Sequence, residues 1–534
     1  MTRTLLIGLD GATFSVLDDL TRADGGDGPV MPFVRRLMDG GYRARLRSTP
    51  HPLTPPAWVS MVTGRSPGNH GVYDFMRFRD AGEEVFFTLY DARDIKVETI
   101  WSIASRQQRS VVSLNFPMMA PPRPINGSLI PGFISWRHLR INVTPASVYE
   151  RVKQMSGFNA QELAWDFERE LKVGEPMSQK ELEDWVQTHI PREEQWFRIA
   201  EMLLTEDRPD LFAVMFDGTD KIQHQVWHVL DPTLRPERPD DGWLRLRELV
   251  VTYFRRLDGY IERLVRLAGP QAQVFLASDH GFTGSDEVLR INQYLSERGY
   301  LTWARVGTSE EDRRRAAASF AHLDWQHTRA FCPTPSSNGI CIRVARAPGA
   351  PGVRPDEYEA FRARLIDDLH ALRSVITGAP MVREVLLRED VFPGAAMGDA
   401  PDLTLVLRDY GFVSVRNLAP VMVPRPMVLG THHPDGIFIA AGPGVENATV
   451  DEISIMDVAA ILLHSLGLAV PADFEGAVPD SLMTVESLMQ RPVRSGPPTL
   501  ALAGTAPVHA DDPIPEQERE KILEQLKALG YLEE

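Results

Sequence analysis

The stretch LFAVMFDGTDKIQH, residues 211–224, joins two different sequence patterns. Its first six residues form an uninterrupted apolar run, which is typical of a buried parallel strand. The residues that follow place Asp220 and His224 four positions apart, and this spacing puts both side chains on one face of a helix. The stretch therefore predicts a buried strand that leads into a helix, with chemically active side chains close to the junction.

Four other apolar runs end in a polar or glycine-bearing cluster in the same way. They are TLLIGLDG (4–11), SVVSLNFP (110–117), QVFLASDHG (273–281) and DGIFIAAGPG (435–444). Because helical patterns lie between these runs, we predict an α/β fold with a mostly parallel central sheet and helices on both faces. Such sheets bind ligands beyond the carboxyl ends of their strands, so the residues after each run are the candidates for function.

The catalytic domain is predicted to span residues 1–490 and to contain two insertions. Residues 137–210 are mostly charged and indicate a helical insertion, whereas residues 283–400 mix strand and helix patterns and are predicted to form an α+β cap. Residues 491–515 are rich in Pro, Ala and Gly and are interpreted as a linker. Residues 516–534 predict an amphipathic C-terminal helix, which we expect to dock on the body or on another subunit. The sequence therefore leaves open whether the chain forms a homo-oligomer.

The composition excludes several classes of protein. The 534 residues contain 73 Asp and Glu against 57 Lys and Arg, and this acidic balance provides no broad surface for nucleic acid. The two cysteines, Cys332 and Cys341, are too few for a disulfide framework or a cysteine-based zinc site. The sequence contains neither a signal-peptide pattern nor a long apolar span, so we expect a soluble cytoplasmic protein without membrane association.

Three aspartates and three histidines lie at or near the predicted strand ends. They are Asp10, Asp220, His224, Asp279, His280 and His432. A single strand-end aspartate is commonly a turn or cap residue, but six such ligands on one edge of a sheet predict a site for two divalent cations. Imidazole with carboxylate suits Zn²⁺, with Mn²⁺ and Fe as rivals. Two such ions clamp the attacking and leaving oxygens of a phosphoryl transfer and supply the positive charge that the acidic chain lacks.

The segment HPLTPPAWVSMVTG, residues 51–64, gives Thr54 two interpretations. Proline suits the first helical positions, and a preceding threonine is an acceptable N-cap. Alternatively, Thr54 is a nucleophile at the positive end of a helix, whose free N–H groups are expected to face a phosphate.

The order of these motifs resembles the alkaline phosphatase superfamily and is most similar to its type I phosphodiesterase/nucleotide pyrophosphatase branch. The matching features are Asp10, LTPPAWVSMVTGRSPGNHG, DGTDKIQH, SDHG and THHPDG. The resemblance implies an alkaline phosphatase-like fold and hydrolysis of small phosphate diesters, with Thr54 as the nucleophile and also a metal ligand. It further implies one metal held by Asp10, Asp279 and His280, the one that binds Thr54, and a second held by Asp220, His224 and His432.

The sequence departs from this family pattern at Phe75, where nucleotide pyrophosphatases have an asparagine that holds a phosphate oxygen. Phe75 is therefore a candidate substrate contact that puts nucleotide substrates in doubt. Trp58 and Trp227 are candidates for stacking on an organic group of the substrate, although we favour the alternative that both are core residues. Asp217 is interpreted as a cap residue before the Asp220 helix.

Other activities on the same site stay open. They are those of a phosphomonoesterase, a phosphonate hydrolase, a phosphosugar mutase and a catalytically silent metal-binding relative. A sulfatase is disfavoured because neither Cys332 nor Cys341 lies in the C-x-P-S-R setting of that branch. The six ligands and Thr54 together disfavour the silent relative.

Overall fold

A computed structural model of the chain describes residues 4–22, 28–80, 85–134, 136–163, 177–304 and 323–500. Its centre is an eight-stranded sheet with strand order β16-β2-β15-β8-β1-β7-β5-β6. Only β15 runs antiparallel to its neighbours in this sheet. The predicted fold class, a mostly parallel central sheet with helices on both faces, is confirmed.

The strands have the following bounds. They are β1 Thr4–Leu9, β2 Tyr42–Arg47, β3 Met76–Asp80, β4 Val85–Leu89, β5 Val111–Leu114, β6 Gly127–Ile130, β7 Leu211–Phe216, β8 Gln273–Ala277, β9 Gly281–Leu289, β10 Ala330–Phe331, β11 Gly339–Ile342, β12 Val382–Leu387, β13 Leu403–Leu407, β14 Met422–His433, β15 Asp435–Ala441, β16 Thr449–Ser454, β17 Val470–Pro471 and β18 Ser495–Gly496.

The α-helices have the following bounds. They are α1 Phe14–Thr21, α2 Pro32–Gly40, α3 Thr54–Thr63, α4 Pro67–His70, α5 Ile100–Arg106, α6 Trp136–Leu139, α7 Ala146–Lys153, α8 Ala160–Leu163, α9 Gln179–Asp207, α10 Gly218–Leu230, α11 Asp241–Ala268, α12 Ile291–Glu297, α13 Tyr358–His370, α14 Arg388–Val391, α15 Asp457–Ser465 and α16 Val485–Gln490. Short 3₁₀ turns span Arg140–Asn142, Pro232–Leu234, Pro355–Glu357 and Met397–Asp399.

The two faces of the central sheet carry separate hydrophobic cores. Alternate residues of β1 point to opposite faces. Leu5 and Ile7 pack in the core that also contains residues of α9 and α11, whereas Leu6 packs in the core on the side of α3 and α15. Because both faces are covered, β1, β7 and β8 are buried along their whole length. This burial explains their continuous apolar runs.

Register brings the ends of the three central strands to one edge of the sheet. Leu9 at the end of β1 pairs with Phe216 at the end of β7, and Gly8 pairs with Ala277 at the end of β8. The residues that follow each strand therefore lie side by side at the carboxyl edge.

The described parts of the two insertions differ in structure. Within residues 137–210, helices α7 to α9 and the end of α6 are present, and α9 packs along α11. The second region contains a four-stranded antiparallel sheet with order β10-β11-β13-β12. Its strand β13 lies beyond the predicted boundary at residue 400, because it pairs with both β11 and β12. The described sheet therefore extends a few residues past the approximate end of the predicted cap.

The C-terminal predictions fall mostly outside the described residues. The first part of the predicted linker contains β18, which pairs with β17. The predicted helix at 516–534 lies outside the described residues, and the homo-oligomer and the cytoplasmic location stay predictions. In the part of the chain that the structure describes, no helix is both long enough and apolar enough to cross a bilayer.

Candidate two-metal site

The structure brings the six predicted ligands together from four places in the fold. Asp10 follows β1, and Asp279 and His280 lie between β8 and β9. Asp220 and His224 are one helical turn apart on α10, and His432 lies on β14 opposite Phe282 of β9. Thr54 is the first residue of α3 and is 4% exposed. All seven predicted residues therefore meet at the carboxyl edge of the sheet.

Asp10, Asp279 and His280 form one cluster, which we call site A. Their ligand atoms all lie within 4.8 Å of one another. The His280 Nε2 is 3.2 Å from Asp279 Oδ2 and 3.7 Å from Asp10 Oδ1. Asp10 Oδ1 and Asp279 Oδ2 are buried and have no hydrogen-bond donor among the described residues. Two buried carboxylate oxygens without a donor are the environment that a cation would satisfy.

Asp220, His224 and His432 form a second cluster, site B. Here His432 Nε2 is 3.0 Å from His224 Nε2 and 3.1 Å from Asp220 Oδ1, and His224 Nε2 is 3.4 Å from the same carboxylate oxygen. The two sites adjoin, because the His280 and His432 rings stack with centroids 3.6 Å apart. A tetrahedral zinc ion with ligand bonds of about 2.0–2.1 Å would separate its ligand atoms by about 3.3 Å. The spacings in site B match this value.

Backbone carbonyls fix the tautomers of the three histidines. Each ring places its Nδ1 at hydrogen-bond distance from a carbonyl oxygen. The pairs are His224 with Gly430 at 3.1 Å, His432 with Pro52 at 2.7 Å and His280 with Gly281 at 3.1 Å. Because each Nδ1 faces a carbonyl acceptor, Nε2 is the ring atom that each histidine directs into the site. In site B the two Nε2 atoms lie 3.0 Å apart, a separation that a proton or a metal cation between them makes favourable.

The electrostatics of the two sites differ. Burial, together with the facing carboxylates, raises the pKa of Asp10 well above its usual range. Burial also raises the pKa of Asp279, to about 8. Burial alone would raise the pKa of Asp220, but the imidazoles of His224 and His432 hold it well below its usual range. A metal ion in site A would offset the repulsion between its two carboxylates.

Thr54 is not an N-cap. Leu53 occupies the N-cap position of α3, and its own side chain makes no capping hydrogen bond. Instead, the Thr54 Oγ1 lies 3.4 Å from His280 Nε2, next to site A. The expectation that several N–H groups here face a phosphate is wrong. Pro55 and Pro56 have no N–H and the Ala57 N–H bonds the Leu53 carbonyl, so Thr54 itself carries the remaining backbone donor.

The sequence interpretation missed a buried group of side chains from α9. Arg192 donates from Nη2 to Asp217 Oδ2 at 2.8 Å, and Lys221 Nζ lies 3.2 Å from the same oxygen. Glu193 Oε1 accepts the Gly218 N–H at 2.6 Å. Asp217 thus stands at the N-cap position of α10 without capping it, because its carboxylate pairs with these cations. No local signal separates Arg192 from the other charged residues of α9.

The pKa values of the Asp217 and Glu193 carboxyl groups, which belong to this cluster, are shifted in opposite directions. Burial would raise the pKa of Asp217, but Arg192 and Lys221 together hold it below its usual range. Burial and the facing Asp217 raise the pKa of Glu193 to about 8. At neutral pH, Glu193 is therefore mainly protonated beside an ionised Asp217.

The structure places both Trp58 and Trp227 among buried residues. Trp58 is fully buried and packs edge to face against Phe116, with ring centroids 5.3 Å apart. Trp227 is 2% exposed and donates from Nε1 to Asp231. Both are core residues, as the favoured alternative held. Phe75 is partly buried and packs 6.4 Å from the Phe133 ring, so its role in binding stays a prediction.

Comparisons with known proteins agree with this fold. The family model of type I phosphodiesterase/nucleotide pyrophosphatase matches residues 4–435. No curated protein matches the chain. The structure of inactive murine ectonucleotide pyrophosphatase/phosphodiesterase 5 in complex with AMP is similar with a TM-score of 0.53 and 15% identity, over 90% of this chain and 100% of that chain.

Two further solved structures are similar at the same level. Human ectonucleotide pyrophosphatase/phosphodiesterase 5 has a TM-score of 0.51 and 14% identity, over 90% of this chain and 100% of that chain. Phosphonoacetate hydrolase from Sinorhizobium meliloti 1021, in complex with phosphonoformate, has a TM-score of 0.50 and 16% identity, over 87% of this chain and 96% of that chain. At these identities the likeness shows a shared fold.

Proposed function

Because the chain belongs to the type I phosphodiesterase/nucleotide pyrophosphatase family of phosphate-ester hydrolases, we propose that it cleaves small phosphate diesters with Thr54 as the nucleophile. The observation that carries this proposal is the pair of imidazole Nε2 atoms 3.0 Å apart in site B, beside Asp220 and close to site A. Their close approach suits a shared metal ligand role, and Thr54 lies at the edge of this group.

The two sites would each hold one divalent cation. Site A would use Asp10, Asp279, His280 and Thr54, and site B would use Asp220, His224 and His432. When bound, the two cations, most suitably Zn²⁺ with Mn²⁺ or Fe as rivals, supply Lewis-acid stabilisation of charge on the phosphoryl oxygens. The carbonyls that bind each Nδ1–H keep the rings oriented and the Nε2 lone pairs free.

The reaction at Thr54 is a group transfer in two steps. The Thr54 Oγ1 forms a bond to phosphorus while the bond from phosphorus to the leaving alcohol breaks. The hydroxyl proton passes to solvent, and the leaving alkoxide takes a proton from solvent. Water then hydrolyses the phosphorylated Thr54 and restores the hydroxyl. Because the residue lies at the first position of α3, the partial positive charge of the helix start favours both the alkoxide and the phosphoryl group.

The test compares esters that release the same nitrophenol on metal-analysed protein. We expect about two divalent ions per chain, loss of activity with a strong chelator and recovery with Zn²⁺ or Mn²⁺. Bis(p-nitrophenyl) phosphate should have a higher kcat/KM than p-nitrophenyl phosphate. A higher kcat/KM for the monoester would instead support the phosphomonoesterase, and turnover of phosphonoacetate alone would support the phosphonate hydrolase. Full activity with one ion or none would overturn the two-metal proposal.

A further inference from the structure

Phe412, in the loop between β13 and β14, contacts the histidines of site B. Its ring is only partly buried and meets His432 edge to face, with centroids 4.8 Å apart. The His224 ring lies 6.3 Å away. Phe282, by contrast, is 3% exposed and packs 4.8 Å from His224. The imidazoles of site B therefore contact one fully buried phenylalanine and one that is partly buried.

The loop that presents Phe412 is held rigidly. Asn338 donates from Nδ2 to the Gly411 carbonyl at 3.0 Å and accepts the Val413 N–H on Oδ1 at 3.0 Å, so it binds the residues on both sides of the phenylalanine. The Thr431 hydroxyl, next to His432, donates to the Tyr410 carbonyl at 3.0 Å. These bonds tie the position of the Phe412 ring to the strand that carries His432.

Backbone strain in the same loop is an independent observation. Tyr410 has φ of +59°. A bulky tyrosine is unfavourable in the left-handed region, and such conformations persist where the surrounding structure enforces them, often at ligand sites. The strained residue thus lies two positions before Phe412, the partly buried phenylalanine beside site B.

We infer that Phe412 determines specificity by packing against the apolar organic group of the phosphate ester. The inference rests on the proposed function and adds a substrate class, esters that carry an aromatic or other apolar group. An aromatic ring offers no favourable charge to the phosphoryl oxygens, so it can add affinity only for the organic part. The Phe412 ring also lies 6.2 Å from the His51 ring, and we assign its remaining accessible surface to the ligand.

The experiment measures binding of phenyl phosphate, methyl phosphate and inorganic phosphate to the metal-loaded protein by calorimetry. The wild-type chain should bind phenyl phosphate about tenfold more tightly than methyl phosphate, and Phe412→Ala should reduce this ratio about fivefold or more. Phe412→Tyr should keep the wild-type ratio, and the ratio for Phe412→Leu should lie between those of the wild type and Phe412→Ala. Inorganic phosphate should bind equally in all variants. Phe33→Ala, which truncates another partly buried phenylalanine on α2, is the matched control.

Three outcomes decide the inference. A reduced phenyl-to-methyl ratio in Phe412→Ala with two bound metal ions supports it. An unchanged ratio overturns it, and so does a reduced ratio that accompanies loss of a metal ion, because Phe412 would then act only by supporting His432. Since these are binding measurements, they decide the role of Phe412 even if the protein hydrolyses no diester, a result that would overturn the proposed function separately.

Discussion

Site A and site B contain three side chains each, yet the fold holds them in different ways. Asp10, Asp279 and His280 of site A follow neighbouring strands, and their side chains are 0–1% exposed. Site B combines a helix with β14, and its Asp220 and His224 side chains are 15% and 11% exposed. Hydrogen-bonded strands fix site A, whereas packing between separate elements fixes site B.

This difference has an electrostatic consequence. In site A two carboxyl groups share a buried space, so their pKa values are raised and the metal-free site is unfavourable at neutral pH. In site B one carboxylate faces two imidazoles, so its pKa is lowered. A metal ion would therefore relieve repulsion between carboxylates in site A, whereas in site B it would replace the imidazole protons that face Asp220. Variants in site A and site B should therefore respond differently to pH and to metal removal.

The largest effect is expected from Thr54, the proposed nucleophile beside site A. Thr54→Ala should lower kcat at least about 10⁴-fold, because the covalent step is lost, while both metal ions stay bound to ligands elsewhere. Thr54→Ser keeps the hydroxyl and should retain a substantial part of the activity. The measurements are turnover of bis(p-nitrophenyl) phosphate and metal content. Near-normal turnover by Thr54→Ala would show that water attacks directly and that Thr54 does not react.

The second prediction concerns the stability of the metal-free chain against pH. The pKa of Asp279 is raised in the folded state to about 8, so the folded chain holds more protons than the unfolded chain between about pH 4 and pH 8. Stability should therefore fall as pH rises through this window. Asp279→Asn should flatten the fall, with a gain of at most about 5 kcal/mol at pH 8, since one pKa unit corresponds to about 1.4 kcal/mol. Melting temperatures of the chelator-treated parent and variant from pH 5 to pH 8 measure this loss of stability.

Asp220→Asn is the matched variant in site B, and its effect should have the opposite sign. The folded-state pKa of Asp220 is lowered, so its ionised form adds stability that is present above about pH 4 and lost as pH falls. The asparagine variant should therefore melt at a lower temperature than the metal-free parent at pH 7. Equal responses of the two variants would contradict the electrostatic distinction between the sites.

The smallest effect is expected at Arg192 of α9, whose contact with Asp217 supports the helix of site B. Arg192 binds Asp217 through two nitrogens, and Asp217 and Gly218 begin the helix that carries Asp220 and His224. Arg192→Lys keeps the charge but loses the bidentate geometry. It should weaken binding of one of the two metal ions roughly tenfold, as is typical for residues that orient ligands. Titration with Co²⁺, followed by visible absorption, would resolve the two ions.

Arg263→Lys is the control for this prediction, because Arg263 forms an exposed ion pair with Glu201 of α9 at 2.7 Å. It should leave both metal affinities unchanged, since exposed pairs contribute little. Equal weakening of both metal ions by Arg192→Lys would mean that α9 supports the whole edge of the sheet instead of site B in particular.

The sequence alone determined the fold class and the composition of the site. Buried parallel strands need continuous apolar runs, and their carboxyl ends share one edge, so Asp10, Asp220 and Asp279 could be placed together before any coordinates. Asp220 and His224 are four positions apart, so the sequence also predicted that they share one face of a helix. The resemblance to a known family added the division of the ligands into two metal sites.

Only the tertiary structure decided the features that join distant segments. The N-cap position of Leu53, the burial of Trp58 and the pairing of Arg192 with Asp217 depend on which elements pack together. The tautomer of His432 depends on the Pro52 carbonyl, 380 residues away in the chain. Local propensity carries no information about such partners, because they are selected by the packing of the whole core. The ring of Phe412 beside site B is another result of that packing.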